Sequence, residues 1–109
     1  MHSRPIAETE LWDEINAAWE RMNWKQRRLW EIIRITPTTW EQHSHGDSGQ
    51  GVWVVALLGS TVVWYDDIEY GFRVSHYTRY GIIDDSSYGE DKLEQTVQNL
   101  LYAIETGIV

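Results

Sequence analysis

The sequence predicts an α+β fold in which an N-terminal and a C-terminal helix pack on one face of an antiparallel sheet of three to four strands. Three observations lead to this prediction: an apolar stripe with helical spacing near each end, two apolar runs around Gly59-Ser60, and an alternating run over residues 72–80. Helices at both ends of a series of strands favour a sheet that is covered on one side. The 109 residues suit a single domain, which we expect to span residues 1–109.

The first helix is expected over residues 8–22. Its stripe of apolar residues recurs at spacings of three and four: Leu11, Ile15, Ala18, Trp19 and Met22. Acidic residues crowd its first turns, and the basic residues at 25–28 follow its end, as the helix dipole favours. We interpret that basic cluster as a solvated helix end rather than an anion site.

A first strand is predicted over residues 29–36, because three isoleucines favour a strand and Pro37 ends any helix before it. Residues 38–43 are expected to continue it as an edge segment, where Pro37 is tolerated at an edge or a bulge. A polar, glycine-rich loop follows over residues 43–51. Its His43 and His45 lack a clear third ligand, for which Asp47 and His76 are the only suggestions, so we predict no metal site.

A hairpin is predicted from Val52–Leu58 and residues 61–65, with Gly59-Ser60 as its two-residue turn. The register then places Leu58 opposite Thr61, Val55 opposite Trp64, and Val54 opposite Tyr65. Because the first of these strands is apolar on both faces, we expect helices on one side and more protein on the other, either from the same chain or from a dimer partner.

The alternating run over residues 72–80 predicts a half-exposed strand with His76 packed on its apolar side. Residues 81–83 would continue or close it. The C-terminal helix is expected over residues 90–105, with Leu93, Val97 and Leu100 on its apolar stripe and Gly107 just past its end.

Composition and charge exclude several classes of protein. The chain has no cysteine, so it contains no disulfide and no thiolate metal site. It shows no signal sequence and no apolar run of the roughly 20 residues that span a bilayer, and we therefore predict a cytoplasmic protein without membrane contact. Its net charge of −8 lies entirely in residues 35–109, which argues against nucleic acid and for a basic protein partner. Most of the seven tryptophans are expected to pack in the core.

The predicted partner-binding segment is the acidic connection between the apolar run that ends at residue 65 and the alternating run that begins at residue 72. Aromatic residues beside fixed charges form effective protein-binding surfaces. The candidate residues are Trp64, Asp66, Asp67, Glu69, Tyr70 and Arg73.

The string WYDDIEYGF over residues 64–72 resembles a W-Y-x-D-I-E-x-G-F segment of a family of small uncharacterised bacterial α+β proteins. Asp67, Ile68, Glu69, Gly71 and Phe72 match that pattern. The residue at position 66 departs from it, since asparagine is commoner there. The resemblance extends from Trp64 through the C-terminal helix and implies a shared fold but no activity.

These observations favour a small acidic intracellular protein-binding module, either immunity-like or regulatory. A homo-oligomeric structural protein is one alternative, supported by the apolar strand. A small enzyme or ligand binder that uses Asp66, Asp67 and Glu69 is another, although no catalytic motif is present and the sequence leans against an enzyme. We predict no cofactor.

Overall fold

The computed structural model describes residues 6–42, 51–84, 87–88 and 92–107. Within these ranges the fold is α+β, with helices at both ends of the chain and a sheet between them. The helices are α1 (Glu8–Arg21), α2 (Trp24–Ile33) and α3 (Leu93–Thr106). The strands are β1 (Arg34–Gln42), β2 (Val52–Leu58), β3 (Thr61–Asp66), β4 (Gly71–His76), β5 (Ile82–Ile83) and β6 (Ser87–Tyr88).

The sheet is larger than the three to four strands predicted, and it is not purely antiparallel. Its strand order is β5-β1-β2-β3-β4-β6. The four long strands form an antiparallel meander, and the two-residue strands add one pairing at each edge. Because β5 runs parallel to β1, the sheet is mixed.

The prediction of a strand over residues 29–33 is wrong, because a second helix occupies them. Asn23 caps α2: its side chain accepts a hydrogen bond from the backbone N–H of Gln26 at 2.9 Å, and the Gln26 side chain accepts one from the Asn23 N–H at 2.8 Å. This reciprocal cap was visible in the sequence. Burial then overrides the strand propensity of the isoleucines, since Ile33 packs in the core while Ile32 is left exposed.

The basic cluster at 25–28 therefore begins a helix rather than ending one. Within it, Arg27 holds the end of α1: its Nε donates to the carbonyl of Trp19 at 3.0 Å, and its guanidinium lies 4.8 Å from the centre of the Trp19 ring. Pro37 lies within a register shift between β1 and β2, which agrees with its predicted place at an edge or bulge.

The predicted hairpin is confirmed at its turn and for the three pairs nearest to it, which are Leu58 with Thr61, Leu57 with Val62 and Ala56 with Val63. A bulge at Val55 then shifts the register, so that Val54 rather than Val55 lies opposite Trp64. The predicted faces of Val54 and Val55 are therefore exchanged. Val55 and Ala56 both pack on the helix side, whereas Val54 packs on the other side.

The sheet is curled, because one short stretch of chain reaches both of its edges. Strands β5 and β6 lie at opposite ends of the strand order, yet only residues 84–86 separate them. Six strands laid flat would place these edges about 24 Å apart, whereas that linker spans at most about 14 Å. The backbone N–H of Asp84, just after β5, donates to the carbonyl of His76 at the end of β4 at 3.1 Å. The two edges are therefore close together.

Two hydrophobic cores result, one on each face of the sheet. We call them the helix-side core and the inner core. The helix-side core contains the apolar stripes of all three helices together with Val55, Ala56, Val63, Tyr65, Phe72 and Val74. The inner core lies inside the curl and contains Trp40, Val52, Val54, Val62, Trp64 and Ile83. The chain itself thus covers both faces of β2, which removes the reason for expecting a dimer partner there.

Strand β4 ends at His76, earlier than predicted, and His76 is exposed rather than packed. The chain turns away there because Tyr77 bonds to the hairpin turn instead, with its N–H on the Ser60 carbonyl at 2.9 Å and its hydroxyl on the Gly59 carbonyl at 2.8 Å. The rings of Tyr77 and Tyr80 then pack against Trp40, with centroid distances of 5.1 and 4.8 Å.

Helix α3 confirms the predicted C-terminal helix, with Gly107 as its left-handed C-cap at a φ of 77°. The start predicted at residues 90–91 lies outside the described residues. Polar contacts join α3 to the N-terminal helices: Arg21 to Glu94 at 2.5 Å, Gln26 to Gln98 at 2.9 Å, and Lys25 to Glu105 at 3.5 Å.

Candidate functional site

The connection between β3 and β4 is a tight turn organised by Asp66. One carboxylate oxygen of Asp66 accepts hydrogen bonds from the backbone N–H groups of Ile68, at 2.9 Å, and Glu69, at 3.2 Å. An aspartate that bonds to the backbone two and three residues ahead mimics a backbone turn and fixes the chain locally. Asp66 is itself only 4% exposed, so it supports the turn from within.

Arg73, on β4, connects the two ends of the turn. Its Nε lies 3.5 Å from the second carboxylate oxygen of Asp66, and its Nη2 donates to the carboxylate of Glu69. Arg73 pairs with Trp64 in the β3–β4 ladder, and Asp66 lies two residues after Trp64 on β3. Asp66, Arg73 and Trp64 therefore lie on the same face of the sheet. The guanidinium is largely shielded, whereas Glu69 is exposed. Arg73 therefore braces the turn.

Two large apolar side chains project outward from this braced turn. Ile68 is 48% exposed and Tyr70 is 72% exposed. The backbone of Tyr70 has a φ of 59°, a left-handed conformation that is uncommon for any residue with a side chain. A residue with a side chain stores backbone strain in this conformation, and here the aromatic ring is exposed to solvent. We call residues 67–70 the turn surface.

The structure corrects the assignment of Trp64 to the partner-binding set. Its side chain is fully buried in the inner core, and its indole N–H donates to the hydroxyl of Ser75 at 3.0 Å. The even-numbered residues of β3 point into the curl, which a single strand pattern cannot reveal. Of the six predicted residues, Glu69 and Tyr70 are exposed, Asp67 and Arg73 are partly buried, and Trp64 and Asp66 are buried.

Sequence reasoning missed one acidic contributor from another element. Burial raises the pKa of the Tyr65 hydroxyl, and the charge of Glu14 on α1, together with Asp67, Tyr70 and Asp66, raises it further. Glu14 therefore lies close enough to act on the same ring as the turn carboxylates. Only the docking of α1 against the sheet brings these residues together, so no local pattern could have indicated it.

The histidine loop offers no test of metal binding, since His43, His45 and Asp47 lie outside the described residues. In the described part of the chain no group of three or more histidine, aspartate and glutamate side chains is placed to hold a metal ion. The three described helices, of 14, 10 and 14 residues, are too short and polar to cross a bilayer.

A second concave surface lies on the other side of α1 and was not predicted. Two adjoining cavities, of about 220 and about 400 Å³, share Trp12, Glu31 and Arg34 as lining residues. The smaller is completed by Ile15, Asn16, Trp19 and Trp30, and the larger by Ile35 and Thr36. We call this surface the tryptophan groove. It follows the boundary of α1 with α2 and the start of β1, and it depends on α2, which the sequence analysis does not predict.

Comparison with known proteins gives no relative: no protein-family model, no curated protein and no solved structure matches the chain. The resemblance of residues 64–72 to a bacterial family therefore stays a prediction.

Proposed function

We propose that this protein is a small acidic protein-binding module that engages a basic partner through the turn surface. One observation carries the proposal: Ile68 and Tyr70 are exposed on a turn whose backbone is held from below by Asp66 and Arg73. Exposed apolar side chains on a rigid element are the usual anchors of protein interfaces. An immunity-like or regulatory role is the specific form we favour.

Rigidity matters because binding loses conformational freedom at an interface. A turn that is already fixed by hydrogen bonds has little backbone entropy left to lose when a partner docks. Tyrosine suits this position, because its ring contributes apolar contact area while its hydroxyl can donate a hydrogen bond to the partner.

The charge around the turn surface supports a basic partner. Asp67 and Glu69 belong to the turn, and Glu14 approaches from α1. With a net charge of −8, the chain attracts cationic surfaces over a distance and accelerates their encounter. We therefore expect the rate of association to fall as salt concentration rises.

The test is a quantitative pull-down from cells that naturally make the protein, with bound proteins identified by mass spectrometry. The test variant carries Ile68→Ser with Tyr70→Asn, because asparagine tolerates the left-handed backbone. The matched control carries Ile104→Ser with Tyr102→Asn on α3, where the two side chains are 41% and 64% exposed.

We expect the test variant to lose a basic protein that the wild type and the control variant retain. Glu69→Lys should weaken capture of the same protein by charge reversal. If both double variants capture the same proteins as the wild type, the turn surface does not bind a partner and the proposal fails.

A further inference from the structure

We propose that the tryptophan groove binds a small zwitterion, a molecule that carries an ammonium group and a carboxylate a few ångströms apart. This site is independent of the turn surface. Trp12 and Glu14 lie two positions apart on α1, which places their side chains about 200° apart around the helix. Glu14 acts on Tyr65, whereas Trp12 lines the groove.

The walls of the smaller cavity suit a cationic group. Three indoles line it: Trp12 and Trp19 from α1, which are half-buried, and Trp30 from α2, which is 4% exposed. Indole faces attract cations, and quaternary ammonium groups are commonly held among such rings. The guanidinium of Arg27 lies 4.8 Å from the centre of Trp19 and occupies one face of that ring, so a ligand meets Trp19 only at its other face or its edge.

Two side chains of opposite charge line both cavities but do not form an ion pair with each other. Glu31 at the end of α2 and Arg34 at the start of β1 line the smaller and the larger cavity alike. Among the residues that the structure describes, neither side chain forms a salt bridge or a side-chain hydrogen bond. Both charges thus remain available to a ligand.

This pair of charges selects the ligand class. A simple cation would be attracted by Glu31 and repelled by Arg34, and a simple anion would meet the reverse. A ligand with both charges satisfies both residues, with its ammonium against the indoles and Glu31 and its carboxylate on Arg34. The smaller cavity, of about 220 Å³, holds the three indoles and adjoins the larger one at Glu31 and Arg34, so a ligand with few heavy atoms can reach the indoles and both charges.

Glycine betaine is the probe, because it joins a trimethylammonium group to a carboxylate through one carbon. Choline lacks the carboxylate, and 3,3-dimethylbutyrate keeps the carboxylate and the shape but has no positive charge. Each is titrated into ¹⁵N-labelled protein while the indole N–H signals are followed by NMR. We expect betaine to shift the signals of Trp12, Trp19 and Trp30 saturably, and the other two compounds to bind several-fold more weakly.

Two variants test which charged side chain binds which end of the ligand. Arg34→Gln should weaken betaine about three- to fivefold, as for an exposed ion pair, and leave choline unaffected or improved. Glu31→Gln should weaken betaine by a similar factor and leave dimethylbutyrate unaffected or improved. The matched controls are Arg28→Gln on α2 and Glu20→Gln on α1, which change exposed charges that do not line the groove.

Trp12→Leu tests the aromatic wall and should weaken betaine about tenfold. Leucine keeps an apolar contact with the core, and backbone NMR spectra show whether the fold persists. The proposal is overturned if betaine produces no saturable shift at concentrations up to about 10 mM, where even a weak site would fill. It is equally overturned if Arg34→Gln and Glu31→Gln bind betaine as tightly as their controls.

Discussion

The two faces of the sheet are filled in different ways. Among the residues that the structure describes, the helix-side core gathers sixteen buried ones, which come from three helices, from Met22 just past α1 and from three strands. Most of them follow periodic apolar stripes. In the described part of the chain the inner core has six buried residues, two of them tryptophans, and it depends on backbone irregularities: a bulge at Val55, a left-handed Gly51 and the closure by β5. We therefore expect the stability of the helix-side core to be distributed over many residues, and that of the inner core to be concentrated in a few.

The largest expected effect on stability comes from replacing two buried tryptophans, one in each core. We expect Trp64→Ala to lower the free energy of unfolding by about 4–5 kcal/mol and Trp30→Ala by about 3 kcal/mol. Trp64 is enclosed and its loss leaves the Ser75 hydroxyl without its indole donor, whereas Trp30 borders the groove, where water can enter.

Urea denaturation followed by circular dichroism measures both tryptophan variants. Trp24→Ala is the control, because that side chain is 68% exposed and should change stability by at most about 0.5 kcal/mol. Equal costs for Trp64→Ala and Trp30→Ala would remove the contrast between the two cores.

A glycine pair tests the closeness of the backbone around the inner core. A Cβ atom at Gly51 would lie 2.5 Å from the carbonyl oxygen of Trp40, in a backbone with a φ of 74°. Gly59 has a similar φ of 58°, but nothing lies within 4 Å of the position of its Cβ. We expect Gly51→Ala to cost about 3 kcal/mol and Gly59→Ala about 1 kcal/mol, because only the first adds a clash to the left-handed strain.

Thermal melts would record the difference between the two glycine variants as a larger fall in Tm for Gly51→Ala. If the two variants melt together, the approach of β1 to Gly51 is looser than the structure indicates.

The turn at the end of the sheet should be less sensitive than either core. Asp66→Ala removes the acceptor of two backbone N–H groups and the partner of Arg73, and we expect a loss of about 1–2 kcal/mol. Asp66→Asn keeps an oxygen acceptor and loses only the charge, so it should cost less than half as much. Denaturant midpoints for the two variants check this ranking, which a reversed order would contradict.

The smallest expected effect lies on the helix side and depends on pH. Burial alone would raise the pKa of Glu94, but the hydrogen bond from Arg21, a backbone hydrogen bond and the charges of Arg21 and Lys92 outweigh it, so the pKa falls below its ordinary value of 4.5. A lowered pKa in the folded state stabilises the fold above the unfolded pKa, and this contribution disappears as the pH falls through the folded pKa.

Urea denaturation of the wild type and Glu94→Gln over a range of pH values measures this contribution. The difference between them should be constant at neutral pH and shrink below pH 4.5. Glu105→Gln, which removes an exposed ion pair with Lys25, is the control variant and should cost at most about 0.5 kcal/mol at neutral pH. A difference for Glu94→Gln that grows on acidification would contradict the direction of the pKa shift.

The sequence predicted what local patterns determine. The stripes of α1 and α3, the Gly59-Ser60 turn and the Gly107 cap are each set by a few neighbouring residues. The missed features depend on distant contacts: a bulge at Val55 shifts the register of β2 against β3, and His76 is exposed because Tyr77 bonds to the hairpin turn. Helix α2 is the exception, since Asn23 and Gln26 indicate its start locally while the isoleucines that follow favour a strand.

The candidate site also contains residues that local sequence predicts and residues that only distant contacts bring together. The turn carboxylates and Tyr70 were apparent because they are consecutive in the chain. Trp64 was misassigned, since only the curl decides which face of β3 is enclosed. The tryptophan groove required α2 and the packing of two helices against β1, and no single segment contains its residues.

The pairing of β5 with β1 and of β6 with β4 also affects the tendency of the protein to self-associate. Strand β2 reads VWVVALL, an uncharged run with high strand propensity and no proline, which is the kind of segment that stacks into fibrils when exposed. In the fold it lies between β1 and β3, and the outer strands meet β5 and β6 rather than open solvent along part of their length. Variants that open the inner core should therefore aggregate on heating, with light scattering rising at the melting transition, whereas variants confined to the turn should melt without it.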